Sequence, residues 1–374
     1  MQTVAAYIIP AILTLLGIAQ YDFSHHKKGK NFLWLTLYLY LIVVMGFRFE
    51  VGGDTLTYMS WFEWARDLQH WTPTDIYEPG FTIIGAIVKS CNGEFYHLQL
   101  IHAVILNTCI FIFISQNTRY RFSALLMAFL TYYIYFSTEV MRESIAVFIF
   151  TFNYKSFLER RWKTYYIGVV VCMFFHLSSS FLLLLPLLRN LKFNNRFLMV
   201  IVVACCIFYV MNPIISLLDS FVPIIADKAK SYGRHTYVGY FWVGMRVIQF
   251  SVIPYFVLYL NKKHFKTELK FESVYLYMII IGMGMIFIPI IFQRFTNYFY
   301  PMLSLSMADL ICKGFSSLNI NKKCMSAVLS LVVCVGYGTY FIYLDFYEMW
   351  VPYSWVFNPI QYSERYKFAN GGEK

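Results

Sequence analysis

Runs of about 20 apolar residues recur along the whole chain, and each is long enough to cross a bilayer as an α-helix. They lie at roughly 3–20, 31–47, 97–115, 122–138, 144–158, 197–215, 238–260, 273–292, 296–312 and 325–344. This pattern predicts an all-α integral membrane protein with roughly 10–12 transmembrane helices. Because no separate soluble stretch is left, we expect residues 1–374 to form a single polytopic membrane domain.

The composition supports a membrane protein and argues against two other classes. Hydrophobic residues make up 59% of the chain and charged residues 14%, whereas a soluble domain carries about 25% charged residues. The net charge of +11 does not indicate a nucleic-acid partner, because the basic residues form short clusters between apolar runs. The eight cysteines lack metal-ligand spacing and fall mostly inside apolar runs, which favours small core residues.

Basic residues between the apolar runs predict the topology. Clusters of Lys and Arg mark the expected cytoplasmic loops at 21–30, 116–121, 155–163, 189–196, 261–270 and 313–323. The first apolar run is followed by lysines, whereas a secretory signal has its basic residues in front. We therefore expect a retained helix whose N-terminus lies outside. The outer face then holds loops at 49–96 and 216–238, and an aromatic tail spans 345–374. The second loop carries Lys228, Lys230, Arg234 and His235, and an anionic ligand there would explain this excess of positive charge on the outer face.

Two segments interrupt the simple alternation of helices and loops. Residues 161–189 are too long for one helix and too short for two crossings at about 1.5 Å per residue. They are broken at His176-Leu-Ser-Ser-Ser, which predicts a hairpin with His176 near the outer boundary of the membrane. Residues 79–91 predict a short helix that is either re-entrant or fully crossing. If it crosses fully, each loop that follows moves to the opposite side of the membrane.

Charged residues near the outer boundary are the candidates for chemistry, because inserting each one costs about 2.5–3.5 kcal/mol. Glu139, Arg142 and Glu143 share a helical face at spacing i, i+3 and i+4, so they either satisfy one another or bind substrate. Arg246 and Arg294 each share a face with an amide side chain, and snorkelling to the interface is the alternative to anion binding.

Two further features have two interpretations each, and a third predicts a turn. His176 is either a satisfied core histidine or a base, and the serines after it favour function. Gly52-Gly53 predicts a turn that brings Asp54 back toward Arg48. The aromatic tail is either an interfacial Trp/Tyr belt or a surface on which sugars stack.

An outer-face site rich in arginine suits a lipid-linked phosphate or pyrophosphate, because the guanidinium group offers a planar charged fork to phosphate oxygens. A nearby carboxylate or histidine could accept a proton from a hydroxyl. The sequence has no D-x-D metal motif, P-loop or Rossmann fingerprint. We therefore expect neither a nucleotide donor nor a metal or other cofactor.

The order of short motifs resembles the EpsG family of bacterial exopolysaccharide polymerases, which are similar to Wzy O-antigen polymerases. The motifs are Arg48, Asp54 and Tyr58, then Glu78-Pro-Gly-Phe, then "MRESIA" at Arg142, "FFHLSSS" at His176 and "QRFTNYFYP" at Arg294. Glu143 is a departure from the family pattern, in which glutamine commonly follows the arginine that corresponds to Arg142. The resemblance implies a GT-C-like polymerase on the outer face of the bacterial inner membrane, working with a chain-length regulator and a flippase. Its donor and acceptor would be undecaprenyl-pyrophosphate-linked glycans, and undecaprenyl pyrophosphate would be released.

Residue roles follow as hypotheses from this combined interpretation. Arg142, Arg294, Arg246 and Arg234 would hold the pyrophosphate, with Arg48 and Asp54 bracing each other beside it. The base would be His176, Glu78 or Asp54, with His176 favoured. Glu139, Tyr58 and Tyr298 are further candidate substrate contacts.

Three competing functions share some of these features. A ligase that moves finished glycan to another acceptor would share the fold and the donor. A lipid-linked glycan flippase or other transporter also carries intramembrane charges, but the internal repeats that transporters often show are not found here. A membrane acyltransferase would need an acyl donor, commonly from the cytoplasmic side, whereas His176 is expected toward the outside.

Overall fold

Helices form all of the regular secondary structure in the part of the chain that the computed structural model describes, which comprises residues 2–24, 27–73, 77–194, 197, 199–207, 240–343 and 350–361. Four of these helices are long and apolar enough to cross a bilayer, at Ala5–Asp22, Phe95–Asn117, Phe241–Phe265 and Ile320–Gly338, and shorter apolar helices accompany them. The predicted all-α membrane protein is thus confirmed, while the number of crossings stays a prediction.

The chain divides into two compact units, Met1–Ser180 with Gly338–Lys374, and Phe181–Tyr337. The first unit contains α1 (Gln2–Gly17, extended by a π-helical turn to Asp22), α2 (Lys30–Gly46), α3 (Thr55–Trp64), α4 (Pro79–Ser90), α5 (Phe95–Asn117), α6 (Arg121–Thr131), α7 (Tyr133–Thr138), α8 (Met141–Leu158) and α9 (Trp162–Phe175). A 3-10 helix follows at Leu177–Leu188.

Several helices of the second unit are short or interrupted. Residues 199–207 are helical, and α10 (Tyr240–Val247) continues through a π-helical turn into α11 (Ile253–Leu260) and a second π-helical turn (Asn261–Phe265). Next come α12 (Glu272–Gly284), α13 (Pro289–Asn297), α14 (Tyr300–Phe315) and α15 (Ile320–Tyr343), whose last residues belong to the first unit.

Two antiparallel helix pairs organise the first unit. Along α2 and α5, the Trp34 and Phe111 rings lie 4.4 Å apart and the Tyr38 hydroxyl is 2.8 Å from the Thr108 hydroxyl. Along α8 and α9, the side chain of Asn153 donates to the carbonyl of Tyr165. Because α9 runs back along α8, residues just beyond its end return to the first turn of α8.

The two predicted interruptions are both present. The α4 helix has 12 residues and is about 18 Å long, whereas the bilayer core is about 30 Å thick, so this helix is too short to cross alone. The α9 helix ends at Phe175, and His176 is extended at φ −156° and ψ 114°. The break at His176 is therefore confirmed, although the following segment is a 3-10 helix and the hairpin itself stays a prediction. The predicted outer loop 216–238 lies outside the described residues.

Candidate active site

Glu78 is held at the start of α4 by local geometry. The residue before a proline is restricted to extended backbone, and Glu78 has φ −64° and ψ 146° ahead of Pro79. Its side chain does not cap α4. Instead, Arg142 Nη1 donates to Glu78 Oε2, and the backbone N–H of Leu177 donates to Glu78 Oε1 at 3.1 Å. Glu78 thus joins the first turns of α4 and α8 to the break after α9.

His176 lies between two carboxylates. Its Nδ1 is 3.4 Å from Glu78 Oε1 and its Nε2 is 3.5 Å from Glu143 Oε2. Gly80 allows this approach, because a Cβ there would lie 2.8 Å from the carbonyl oxygen of Phe174 at the end of α9. Glu78, Arg142, Glu143 and His176 are called the ionic cluster below.

Aromatic rings form one wall beside Arg142. Its guanidinium carbon is 4.1 Å from the centre of the Tyr77 ring and 5.9 Å from that of Tyr58. Tyr58 packs in turn on Phe81 and belongs to a buried cluster that includes Trp61 and Met141. Burial raises the pKa of Tyr58 to about 12, so its phenol stays neutral at physiological pH. A face-on ring stabilises the cation without neutralising it.

The ionic cluster combines two carboxylates with a guanidinium group and an imidazole, and it is partly exposed. Burial alone raises the pKa of Glu78, yet the adjoining His176 and the charge of Arg142 outweigh burial, and the pKa falls below its ordinary value. The side chains of Arg142 and Glu78 remain 17% and 14% exposed, whereas that of Glu143 is 1% exposed. A ligand that contacts Arg142 and Glu78 is thus also next to His176, whose Nδ1 faces Glu78.

The three charged residues near the start of α8 do not satisfy one another, so that alternative is wrong. Arg142 pairs with Glu78, and Glu143 faces His176. Glu139 is buried and accepts the backbone N–H groups of Gly53 (2.8 Å) and Asp54 (2.9 Å), together with Trp350 Nε1–H (2.9 Å). In this structure Glu139 therefore anchors backbone and the C-terminal tail.

Arg48 and Asp54 do not brace each other as predicted. The guanidinium group of Arg48 is fully buried and donates to the carbonyls of Met45 and Val51, with Nη2 3.5 Å from the Met141 sulfur. Asp54 is exposed at the start of α3. The predicted Gly-Gly turn is confirmed, since Gly52 has φ +107°, where a Cβ would meet Thr138 at 2.8 Å. Residues 47–54 are called the Arg48 turn below.

Part of the aromatic tail docks on the Arg48 turn. The N–H of Phe49 donates to the Ser354 carbonyl and the N–H of Val356 donates to the Phe47 carbonyl, both at 2.9 Å. Trp355 and Phe357 stay exposed with ring centres 5.2 Å apart. The tail is thus more than an interfacial belt, because its backbone pairs with the turn.

The remaining candidates fall in the second unit or outside the described residues. Arg246 is buried, with its guanidinium carbon 4.9 Å from the Trp242 ring centre and Nη1 3.4 Å from Gln249 Oε1, so it does not snorkel. Arg294 is half-buried on α13, and Tyr298 is buried just after that helix. Arg234 lies outside the described residues. The grouping of these residues with Arg142 stays a prediction.

Sequence reasoning missed a polar row next to Arg48. Gln99 Nε2 donates to the Arg48 carbonyl at 3.0 Å, and buried His102 Nε2 is 2.9 Å from the Ser144 hydroxyl. These groups occupy a run of mostly apolar residues in α5, and their spacing of three places them on one helical face. This spacing is the feature from which the sequence could have predicted the polar row. Tyr77 was also missed, because its role depends on the fold around Arg142.

Fold and site together define a polytopic α-helical membrane protein that keeps a partly accessible ionic cluster at one end of a helix bundle. The particular family is shown by sequence: the model of the EpsG family matches residues 31–355, and the chain belongs to that family. EpsG is a family of polysaccharide polymerases, which gives the protein a general polymerase role. No curated protein and no solved structure matches the chain.

Proposed function

We propose that the protein is a metal-independent glycosyltransferase of the inner bacterial membrane that polymerises undecaprenyl-pyrophosphate-linked repeat units on the outer face. The observation that carries this proposal is the ionic cluster, in which a histidine lies between two carboxylates beside a partly exposed arginine. The cluster supplies the two functions that such a transfer requires, charge neutralisation and proton acceptance.

Arg142 is the residue best placed to bind the pyrophosphate. The described contacts of its guanidinium group use Nη1 on Glu78, and its buried Nε has no hydrogen-bond partner in the described structure. A guanidinium group has five N–H donors, so Arg142 can keep Glu78 and still donate to phosphate oxygens. The Tyr77 ring holds the plane of the group in place. Arg246, Arg294 and Arg234 remain proposed contributors.

His176 is the proposed base. The acceptor hydroxyl oxygen attacks the anomeric carbon of the donor, the bond from that carbon to the pyrophosphate oxygen breaks, and the pyrophosphate leaves with the electron pair. The hydroxyl proton passes to His176, and the two flanking carboxylates stabilise the imidazolium that forms. Glu78 is a weaker base than its ordinary pKa would suggest, because that pKa is lowered.

The experiment is a gel-ladder assay with the purified protein in lipid and isolated lipid-linked repeat units, without nucleotide and with a chelator. Arg142→Ala is compared with Arg161→Ala, which removes an exposed arginine paired with Glu159 after α8. A ladder from wild type and Arg161→Ala, but none from correctly folded Arg142→Ala, is the expected result. Transfer only to a separate acceptor indicates a ligase, and lipid movement between leaflets without transfer indicates a transporter. Complete dependence on a divalent ion overturns the metal-free mechanism.

Orientation can be tested with two native cysteines. Cys91, in the predicted outer loop 49–96, and Cys324, near the start of α15, are both exposed. We expect a membrane-impermeant maleimide to label Cys91 in intact cells and to reach Cys324 only after the membrane is opened. The reverse pattern contradicts an outer-face site. Single-cysteine variants identify which residue reacts.

A further inference from the structure

A basic cavity lies at the end of the first unit away from the ionic cluster. It has a volume of about 580 Å³ and lies where α2 begins, α5 ends and α6 begins. Its charged lining consists of Lys27, Lys30, Arg119 and Arg121. Nothing in the proposed transfer chemistry uses these residues.

The described lining of this cavity contains four cations and no acid. Lys30 Nζ donates to the Arg119 carbonyl at 3.2 Å and Arg121 Nη1 donates to Asn31 Oδ1 at 3.4 Å, both neutral acceptors. The nearby carboxylate of Asp22 accepts the backbone N–H and the hydroxyl of Ser123, and its charge also acts on Lys30. One acid beside four cations leaves an excess of positive charge. The first turns of α2 and α6 present the positive ends of their helix dipoles to the cavity, and the last turn of α5 presents a negative end, so two of these three ends are positive. The cavity therefore attracts an anion.

An apolar groove continues from the basic cavity. It has a volume of about 390 Å³ and shares Ser115 and Gln116 with the basic cavity as lining residues. From there the groove follows the seam between α2 and α5, where Leu35 is 53% and Ile112 is 43% exposed. A soluble anion would have no use for this groove, whereas a lipid has both a charged headgroup and an apolar chain.

The joined cavity lies where such a lipid would be found. The α5 helix has 23 residues and is about 35 Å long, enough to cross the bilayer core of about 30 Å. Gln99, near its start, contacts Arg48 on the side of the ionic cluster, whereas Asn117 at its end borders the basic cavity. The positive-inside rule predicts that this second end faces the cytoplasm.

We propose that this joined cavity is a binding site for an anionic phospholipid. The phosphodiester group lies among Lys27, Lys30, Arg119 and Arg121, and an acyl chain follows the groove beside Leu35 and Ile112. Charge complementarity selects an anionic headgroup, and continuity with a groove that faces the bilayer selects a lipid over a free anion. The lipid would hold the ends of α2, α5 and α6 together on the face opposite the ionic cluster.

The test measures lipid retention by native mass spectrometry after the whole protein is extracted from bilayers of phosphatidylglycerol and phosphatidylcholine. The variant Lys27→Gln/Arg121→Gln is compared with Lys322→Gln/Lys323→Gln, which removes the same charge at the start of α15. We expect wild type and the control to retain phosphatidylglycerol selectively. The cavity variant should lose at least about tenfold of that selectivity, because each cation near a membrane contributes about fivefold.

A second variant tests the groove without changing charge. Ile112→Trp fills the space beside Leu35, and we expect it to reduce phosphatidylglycerol retention while thermal stability in detergent is maintained. It also keeps the proposal testable if the double variant fails to fold. Wild-type retention by a folded cavity variant, or an equal loss in the control, overturns the site. Binding of inorganic phosphate by the delipidated protein, together with phosphatidylglycerol retention unchanged in Ile112→Trp, overturns the lipid as occupant.

Discussion

The Arg48 turn and the ionic cluster both bury charged side chains at the same end of the first unit, but with different kinds of partner. Arg48 donates to backbone carbonyls, and Glu139 accepts two backbone N–H groups and one indole N–H. Arg142 and His176, by contrast, face carboxylate side chains. Partners on the backbone are fixed by the fold, whereas side-chain partners can exchange with a ligand. The first arrangement indicates support and the second indicates chemistry.

The largest expected effect that separates the two regions is on catalysis. We predict that His176→Ala lowers the polymerisation rate per folded molecule by about 10²–10⁴-fold, the usual contribution of a general base. The rate is compared per folded molecule because the variant also leaves buried Glu143 without the imidazole that faces it. The matched control is His70→Ala, because His70 is exposed and paired with a single acid, Asp67. Ladder formation as a function of time gives the rates. A folded His176→Ala protein with the wild-type rate would transfer the role of base to Glu78 or Asp54.

The opposite behaviour is expected of Glu139. Changing it to glutamine keeps the shape but replaces one oxygen that accepts an N–H with an amide that donates, so a buried N–H then faces a donor. Hydrogen bonds to charged groups contribute about 1.5–3 kcal/mol each, and we expect a loss of stability of this size. Thermal unfolding in detergent should show a lower midpoint, while polymerisation per folded molecule is retained. A normal midpoint with lost activity would move Glu139 into the substrate site.

These two regions also show which parts of the fold and of the candidate site the sequence could predict. The apolar runs predicted several helices closely, such as α2, α5 and α8, because a bilayer imposes a fixed length on an apolar segment. They did not show the breaks that divide 122–138 into α6 and α7 and that separate α12 from α13. The order of motifs brought Glu78, Arg142 and His176 forward as candidates before any geometry was known. Their pairing could not be predicted, because local spacing favoured contacts within residues 139–143 and the observed partners are distant in sequence. The tail on the Arg48 turn depends on backbone pairing, which leaves no periodic signal.

Gly80 connects the fold to the ionic cluster, and substitution there should have an intermediate effect. In Gly80→Ala, the new Cβ meets the Phe174 carbonyl oxygen at 2.8 Å, a backbone atom that cannot rotate away. We expect a destabilisation of about 1–3 kcal/mol, typical of overpacking, together with a slower reaction because Glu78 moves away from His176. Gly244→Ala is the control, since no atom of the described residues lies within 4 Å of a Cβ there. Equal behaviour of the two variants would show that the close approach of α4 and α9 is dispensable.

The smallest expected effect distinguishes the two carboxylates beside His176. Glu143→Gln keeps a side chain of the same shape facing Nε2 and removes one charge from a nearly fully buried position. Because Glu78 still faces Nδ1 and still pairs with Arg142, we expect the rate to fall by less than about tenfold, below the range for losing the base itself. Glu78→Gln should be more harmful, since it weakens the contacts with both Arg142 and His176. Rates of both variants at several pH values, measured by the ladder assay, give the comparison. A larger loss in Glu143→Gln than in Glu78→Gln would make Glu143 the carboxylate that stabilises the imidazolium and would leave Glu78 as a support for Arg142.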